Sequence, residues 1–129
     1  MKAFPILSCF FLLSVSLPAE KVTIQKIGGK ATLLVEGEPF QVHGVGGDGD
    51  LGKLKASGGN SVRTWGIDKN TQAILDDAHT KGIKVALGFW LGHERHGFSY
   101  NDWDSNVNQA ESLFAAVKKY KDHPALLLW

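Results

Sequence analysis

From Phe40 to Trp129 the chain alternates short apolar runs with segments of helical period, and each such segment is long enough to carry the backbone across a sheet and back. Antiparallel neighbours need only a tight turn, whereas strands joined by long crossovers run parallel, usually with a helix in the crossover. Candidate strands fall at residues 40–45, 61–65, 84–90 and 125–129. The run at 84–90 is nearly all apolar, as expected for a strand covered on both faces. Between these runs, residues 68–81 place Ala73, Ile74 and Ala78 at helical spacing, with Asp68 or Asn70 to cap the helix and Gly82 to end it. A longer helix is predicted behind Asp104, with Val107, Ala110, Leu113, Phe114, Val117 and Tyr120 recurring at steps of three and four and His123-Pro124 as the stop.

Upstream, residues 22–27 and 31–35 are two β-type runs around Gly28-Gly29-Lys30, the composition of a hairpin, and Glu36-Gly37-Glu38-Pro39 is a second turn. Four parallel strands are half of the eight that close a (β/α)8 barrel of about 250 residues. The expected fold is therefore α/β, a truncated (β/α)8 TIM barrel preceded by a β-hairpin. An apolar strand at 125–129 with nothing after it leaves an unpaired edge, so the reading frame is expected to continue past Trp129. The predicted organisation is a leader at 1–19, the hairpin at 20–38 and the first half of the barrel domain at 39–129.

The leader reading rests on Met1-Lys2, an apolar run from Phe4 to Leu17, and Leu17-Pro18-Ala19 as a small-residue cleavage site, which together point to a secreted or periplasmic protein. The run is shorter than the roughly 20 residues of a permanent span, so no stable membrane segment is expected. The whole chain has 14 basic and 13 acidic side chains, and loss of Lys2 balances them, which argues against a nucleic-acid-binding surface. The single cysteine, Cys9, falls in the leader, so the remainder has no thiol for a disulfide, a zinc-thiolate site or a nucleophile.

Parallel sheets gather function at the carboxyl ends of their strands. After the first strand, Gly44-Val-Gly46-Gly-Asp-Gly49 has the G-x-G-x-x-G spacing of a dinucleotide loop, with Asp68 further on. Asp48 and Asp50 stand where a pyrophosphate must approach, and the segment 51–56 is barely two turns, which favours a sharp glycine turn. His93-Glu94-Arg95-His96 offers two imidazoles and a carboxylate, but at i and i+3 in a glycine-flanked loop rather than at the i and i+4 of zinc helices; no metal or other cofactor is expected. The same loop region concentrates Phe89, Trp90, Phe98, Tyr100 and Trp103. Flat apolar faces with polar edges suit pyranose rings, so Trp90, Tyr100 and Trp103 are candidate sugar platforms, while Phe89 is assigned to the core. Arg63, inside the apolar run Ser-Val-Arg-Thr-Trp, is expected to be buried and to require a carboxylate partner.

Four ordered segments carry a resemblance: Leu34-Val-Glu-Gly-Glu-Pro-Phe-Gln-Val-His-Gly-Val45, Gly59-Asn-Ser-Val-Arg-Thr-Trp65, Ala78-His-Thr-Lys-Gly-Ile-Lys-Val85 and Tyr120-Lys-Asp-His-Pro-Ala-Leu-Leu-Leu-Trp129. Together they resemble the opening half of the clan A glycoside hydrolases, nearest to the family 2 type catalytic domain and related glucanosyltransferase-like proteins. The resemblance implies a retaining double displacement on the O-glycosidic bonds of a β-linked oligo- or polysaccharide, with one Glu as acid/base and another as nucleophile. In that family both glutamates lie beyond the position matching Trp129, so the chain by itself is expected to be inactive. Arg63 matches the arginine that supports the nucleophile, and Trp65, Trp90 and His93 match positions that line the sugar pocket. Trp103 joins them from the aromatic pattern. Where family 2 β-galactosidases carry Asn and His after the first strand and His-Tyr-Pro after the arginine, this chain has Gly46-Gly47-Asp48 and Trp65-Gly66-Ile67, so neither galactosidase nor glucuronidase specificity is expected. The alternative reading is an exported carbohydrate-binding module without chemistry.

Overall fold

The computed structural model describes residues 22–129. The expected leader and Cys9 lie outside the described residues. Strands β1 (Val22–Ile27) and β2 (Lys30–Val35) pair antiparallel around Gly28 and Gly29, both at positive φ (56° and 84°). Positive φ at both central residues is the signature of a type I′ turn, whose twist matches that of the flanking strands. Glu36 and Gly37 repeat it (φ 53° and 87°), so the second turn takes two residues rather than four and Glu38–Pro39 becomes a short third strand, β3, in register with Val35 and Leu34. Pro39 sits on an edge strand, where its missing N–H interrupts no ladder.

The second sheet is parallel, in the order β4 (Gly44–Gly46), β5 (Ser61–Arg63), β6 (Lys84–Ala86), β7 (Leu126–Leu128). Its crossovers carry α1 (Leu51–Ala56), α2 (Thr71–Thr80) and α3 (Trp103–Tyr120). This corrects the barrel expectation. Over the described residues the fold is a small α/β arrangement of a three-stranded antiparallel sheet and an open four-stranded parallel sheet with three α-helices, and not a truncated TIM barrel. Closure requires the last strand to return to the first, and here β4 and β7 are opposite edges.

The strands are also shorter than the apolar runs suggested. Asn60 explains the first: its side-chain Nδ2 donates to Gln41 O (2.7 Å), its Oδ1 accepts from His43 N (2.8 Å), and its own N–H donates to His43 O (2.8 Å). Residues 40–43 are therefore tied to the sheet largely by one side chain, and ladder pairing begins at Gly44.

Register places Val45, Val62, Val85 and Leu126 in one row. Val62, Val85 and Leu126 join Leu51, Leu75, Ala78, Ile83, Leu87, Tyr120 and Ala125 in a single core. Leu75, Ile83, Val85 and Leu87 are the largest wholly buried side chains. The 83–88 stretch alternates, with Ile83, Val85 and Leu87 buried and Lys84, Ala86 and Gly88 half-buried, so the run read as covered on both faces is covered by helices on one. The opposite row, Gly46, Arg63, Ala86 and Leu128, is open enough that Arg63 and Leu128 are exposed.

On α2 the buried positions are Thr71, Leu75 and Ala78, spaced four and three apart, while Ala73 faces solvent. On α3, Tyr120 is buried and Leu113 and Val117 are half-buried, but Phe114 is 68% exposed and Ala110 faces out. Helix α3 thus meets the core chiefly at its carboxyl end. Asp102, not Asp104, caps it by accepting from Asp104 N (3.2 Å), with Asp104 in the first turn. His123 then fastens α2 to the start of β7. Its Nδ1 accepts from Ala125 N (3.1 Å), which leaves the neutral ring's Nε2–H to donate to Asp76 Oδ1 (3.0 Å). No buried side-chain nitrogen or oxygen among the described residues lacks a partner. No helix among them is long and apolar enough to cross a membrane.

Candidate functional site

The carboxyl ends of β5, β6 and β7 stop together and open a cleft of about 450 Å³. Arg63 and Trp65 come from the end of β5, Gly88, Phe89, Trp90 and His93 from the segment after β6, and Leu128 and Trp129 from the end of β7. Backbone hydrogen bonds hold these ends in register past the regular ladder: Thr64 N donates to Ala86 O (3.0 Å) and Leu87 N to Leu128 O (2.9 Å).

Gly88 sets how closely the walls approach. Its N–H donates to Thr64 Oγ1 (3.2 Å), and a Cβ at this position would fall 2.3 Å from Thr64 O, inside any real contact. A side chain there would force the β5 and β6 ends apart. The loop beyond is fastened to α3 and to itself through Gly92, whose N–H donates to Gln109 Oε1 (2.6 Å) and whose carbonyl accepts from Tyr100 Oη (2.7 Å). Phe98 packs edge-to-face on Tyr100 (centroids 4.9 Å apart), and Gly97 closes the 3₁₀ turn Glu94–His96 at φ 86°.

Three of the four residues that the sequence places in the sugar pocket, Trp65, Trp90 and His93, therefore share one cleft with Arg63, the expected support of the nucleophile. Trp103 does not. It opens α3, is 78% exposed, and is absent from the cleft wall. Tyr100 is likewise absent from that wall, and its hydroxyl donates to Gly92 O.

Arg63 departs from its expectation. It is exposed rather than buried, since the row it occupies has no helix over it, and its Cζ lies 4.1 Å from the Trp65 ring centroid. A cation over an indole face replaces the carboxylate partner that burial would have demanded.

Trp90 is the free wall, 67% exposed, with the His93 ring edge-on to it at 5.6 Å. It also borders a second hollow of about 390 Å³ that reaches Gln109 and Leu113 on α3. A stacked aromatic pair in the cleft was missed by the sequence reading. Phe89, assigned to the core, is half-buried and stacks on Trp129 (5.2 Å, 21° between planes), and both line the cleft. The available signal was that Trp129, like Trp65 and Trp90, lies just past a strand's carboxyl end.

The other motifs resolve into local structure. In the glycine-rich loop, Asp50 Oδ1 accepts from Gly52 N (2.8 Å) and Lys53 N (3.1 Å), so the donors that a phosphate would need at the start of α1 already hold a carboxylate. Asp68 accepts from Asn70 N (2.8 Å) in the turn before α2. His93 and His96 stand edge-to-face at 6.0 Å, Arg95 Nε donates to His96 Nε2 (3.2 Å), and no group of three or more His, Cys, Asp or Glu among the described residues is placed to hold a metal ion.

No protein-family model matches the chain, and no curated protein matches its sequence. The likeness to the clan A glycoside hydrolases therefore rests on the four ordered segments.

Proposed function

We propose that this chain is a carbohydrate-active protein of the glycoside hydrolase kind, exported from the cytoplasm, whose cleft receives part of a β-linked oligo- or polysaccharide. One observation carries the reading. Three exposed tryptophans, Trp65, Trp90 and Trp129, converge on a single 450 Å³ cleft beside an arginine and a histidine. Indole faces cover the C–H faces of a pyranose, while Arg63 and His93 offer hydrogen bonds to its hydroxyls. Large exposed apolar side chains grouped in a concavity with a few polar groups are the usual character of a ligand site.

Retaining hydrolysis needs two carboxyl groups about 5–5.5 Å apart across the scissile bond. Among the described residues, none of those lining the cleft is Asp or Glu. Binding without turnover is accordingly the expected behaviour of the 129-residue chain, which is also what a carbohydrate-binding module would do. The test is titration of tryptophan fluorescence with neutral β-linked tetrasaccharides. Saturable change is expected, with Trp90→Ala weakening it about tenfold or more, the size of an interface hot spot. Absence of saturable binding across the panel overturns the reading. Release of aglycone from an aryl β-glycoside above the buffer rate overturns the inactivity.

A further inference from the structure

We infer that Gln109, which lines the adjoining hollow on α3 rather than the cleft itself, is a positioning residue that holds Trp90 in the orientation in which it receives a glycan. This rests on the carbohydrate reading above and deepens it, by tying the affinity of the site to a side chain on a neighbouring helix.

Trp90-Leu91-Gly92-His93 brings two side chains to the cleft from beyond the end of β6 at Ala86. A glycine is the loosest residue such a segment can contain. Gly92 is nonetheless held from three directions. Its N–H donates to Gln109 Oε1 (2.6 Å), its carbonyl accepts from Tyr100 Oη (2.7 Å), and a Cβ added to it would fall 2.3 Å from the Phe98 ring, which therefore lies against its Cα. The N–H belongs to the peptide plane between Leu91 and Gly92, and the carbonyl to the plane between Gly92 and His93. Two of the three peptide planes that separate Trp90 from His93 are thereby pinned, and each pinned plane removes a soft rotation from the backbone that carries the indole.

Gln109 differs from the other two partners. Phe98 and Tyr100 belong to the same loop as Gly92, so their contacts close that loop on itself. Gln109 stands on an 18-residue helix whose Tyr120 is seated in the core. Asn106, three residues earlier on the same helical face, donates from Nδ2 to Tyr100 O (2.8 Å) and to Asp102 O (2.6 Å). Helix α3 is thus the rigid frame, and Gln109 is its contact on the Trp90 side of Gly92. Without that acceptor the plane between Leu91 and Gly92 turns more freely, and Trp90 samples more orientations before a ligand arrives. Stacking a sugar on the indole then freezes that motion, and the lost entropy is subtracted from affinity.

The experiment is isothermal titration of the full chain with cellotetraose and laminaritetraose, arranged as a double-mutant cycle. Gln109→Ala is expected to weaken binding by about threefold to tenfold, the worth of one hydrogen bond. In a chain already carrying Trp90→Ala the same change is expected to cost less than about twofold, because the side chain it positions is gone. Gln109→Glu keeps an acceptor at the same reach and is expected to bind within about twofold of the unmodified chain, whereas Gln109→Asn, one methylene shorter, is expected to bind like Gln109→Ala. A merely structural role would lower the melting temperature without this coupling or this rescue. Equal penalties with and without Trp90, no penalty in Gln109→Ala, or a Gln109→Glu chain that binds no better than Gln109→Ala overturn the inference and leave the carbohydrate reading in place. Binding of neither tetrasaccharide by the unmodified chain overturns both. If Gln109→Ala does not fold, Gln109→Asn takes its place in the cycle and is compared with Gln109→Glu in the same way.

Discussion

The antiparallel sheet β1–β2–β3 and the parallel sheet β4–β5–β6–β7 use their side chains in opposite ways. The first buries Leu34 and leaves Ile24 (74% exposed) and Ile27 in solvent, so its regularity comes from two tight turns and a backbone ladder between neighbours in sequence. The second pairs strands 17 or more residues apart, each pair only two or three residues long, and sends Val62, Val85 and Leu126 into a core shared with all three helices. Loop closure is cheap for a hairpin and costly for a crossover, so local pairs form with little burial whereas non-local ones must be held by apolar contact. The difference locates the chain's stability in the parallel half. It also places the cleft at the one part of that half where the core ends and aromatic side chains emerge.

Substitutions separate the two sheets by size of effect. Leu75→Ala empties the centre of the shared core and is expected to cost about 3 kcal/mol, measured by urea unfolding; a loss below about 1 kcal/mol would show that the parallel sheet is not core-dependent. Gly88→Ala is expected to cost about 2 kcal/mol because the new Cβ meets Thr64 O, and to weaken glycan binding as well, since it moves the wall that carries Trp90. A variant that melts normally yet binds poorly would confine its effect to the cleft. Asp102→Ala, which removes the cap of α3, is expected to lower the melting temperature by less than either core substitution, and an unchanged melting temperature would show that the cap adds nothing. Ile24→Thr, on the open sheet, is expected to change it by less than about 0.5 kcal/mol; a larger loss would mean that this side chain is covered in solution.

The smallest effect concerns acid. Hydrogen bonds from His123 first and Gln72 second hold the Asp76 carboxyl below the ordinary aspartate range. A carboxyl lowered in the folded state stabilises fully above its unfolded value, about pH 4, and loses that contribution as pH falls through the folded value. Melting temperatures taken below about pH 4 should therefore fall less steeply for Asp76→Asn than for the unmodified chain. Equal slopes would remove the fastening of α2 to β7 from the account of acid stability.

The alternation of apolar runs and helical segments was enough to place α2, α3 and the four parallel strands of the described residues in order, because period and turn chemistry are local properties. Gly28-Gly29 acts through its own neighbours and was readable for the same reason. The cleft was legible in part: Arg63, Trp65, Trp90 and His93 all reach it, since strand ends converge in a parallel sheet. Trp103 was not placed correctly because an aromatic near a site in sequence is directed by its own helix, and α3 begins by pointing it into solvent. The face on which Arg63 falls, the stacking of Phe89 on Trp129, and an open sheet in place of a curved barrel depend on which helices cover which rows. Those are contacts between residues far apart in the chain. No local pattern encodes them, and packing alone decides them.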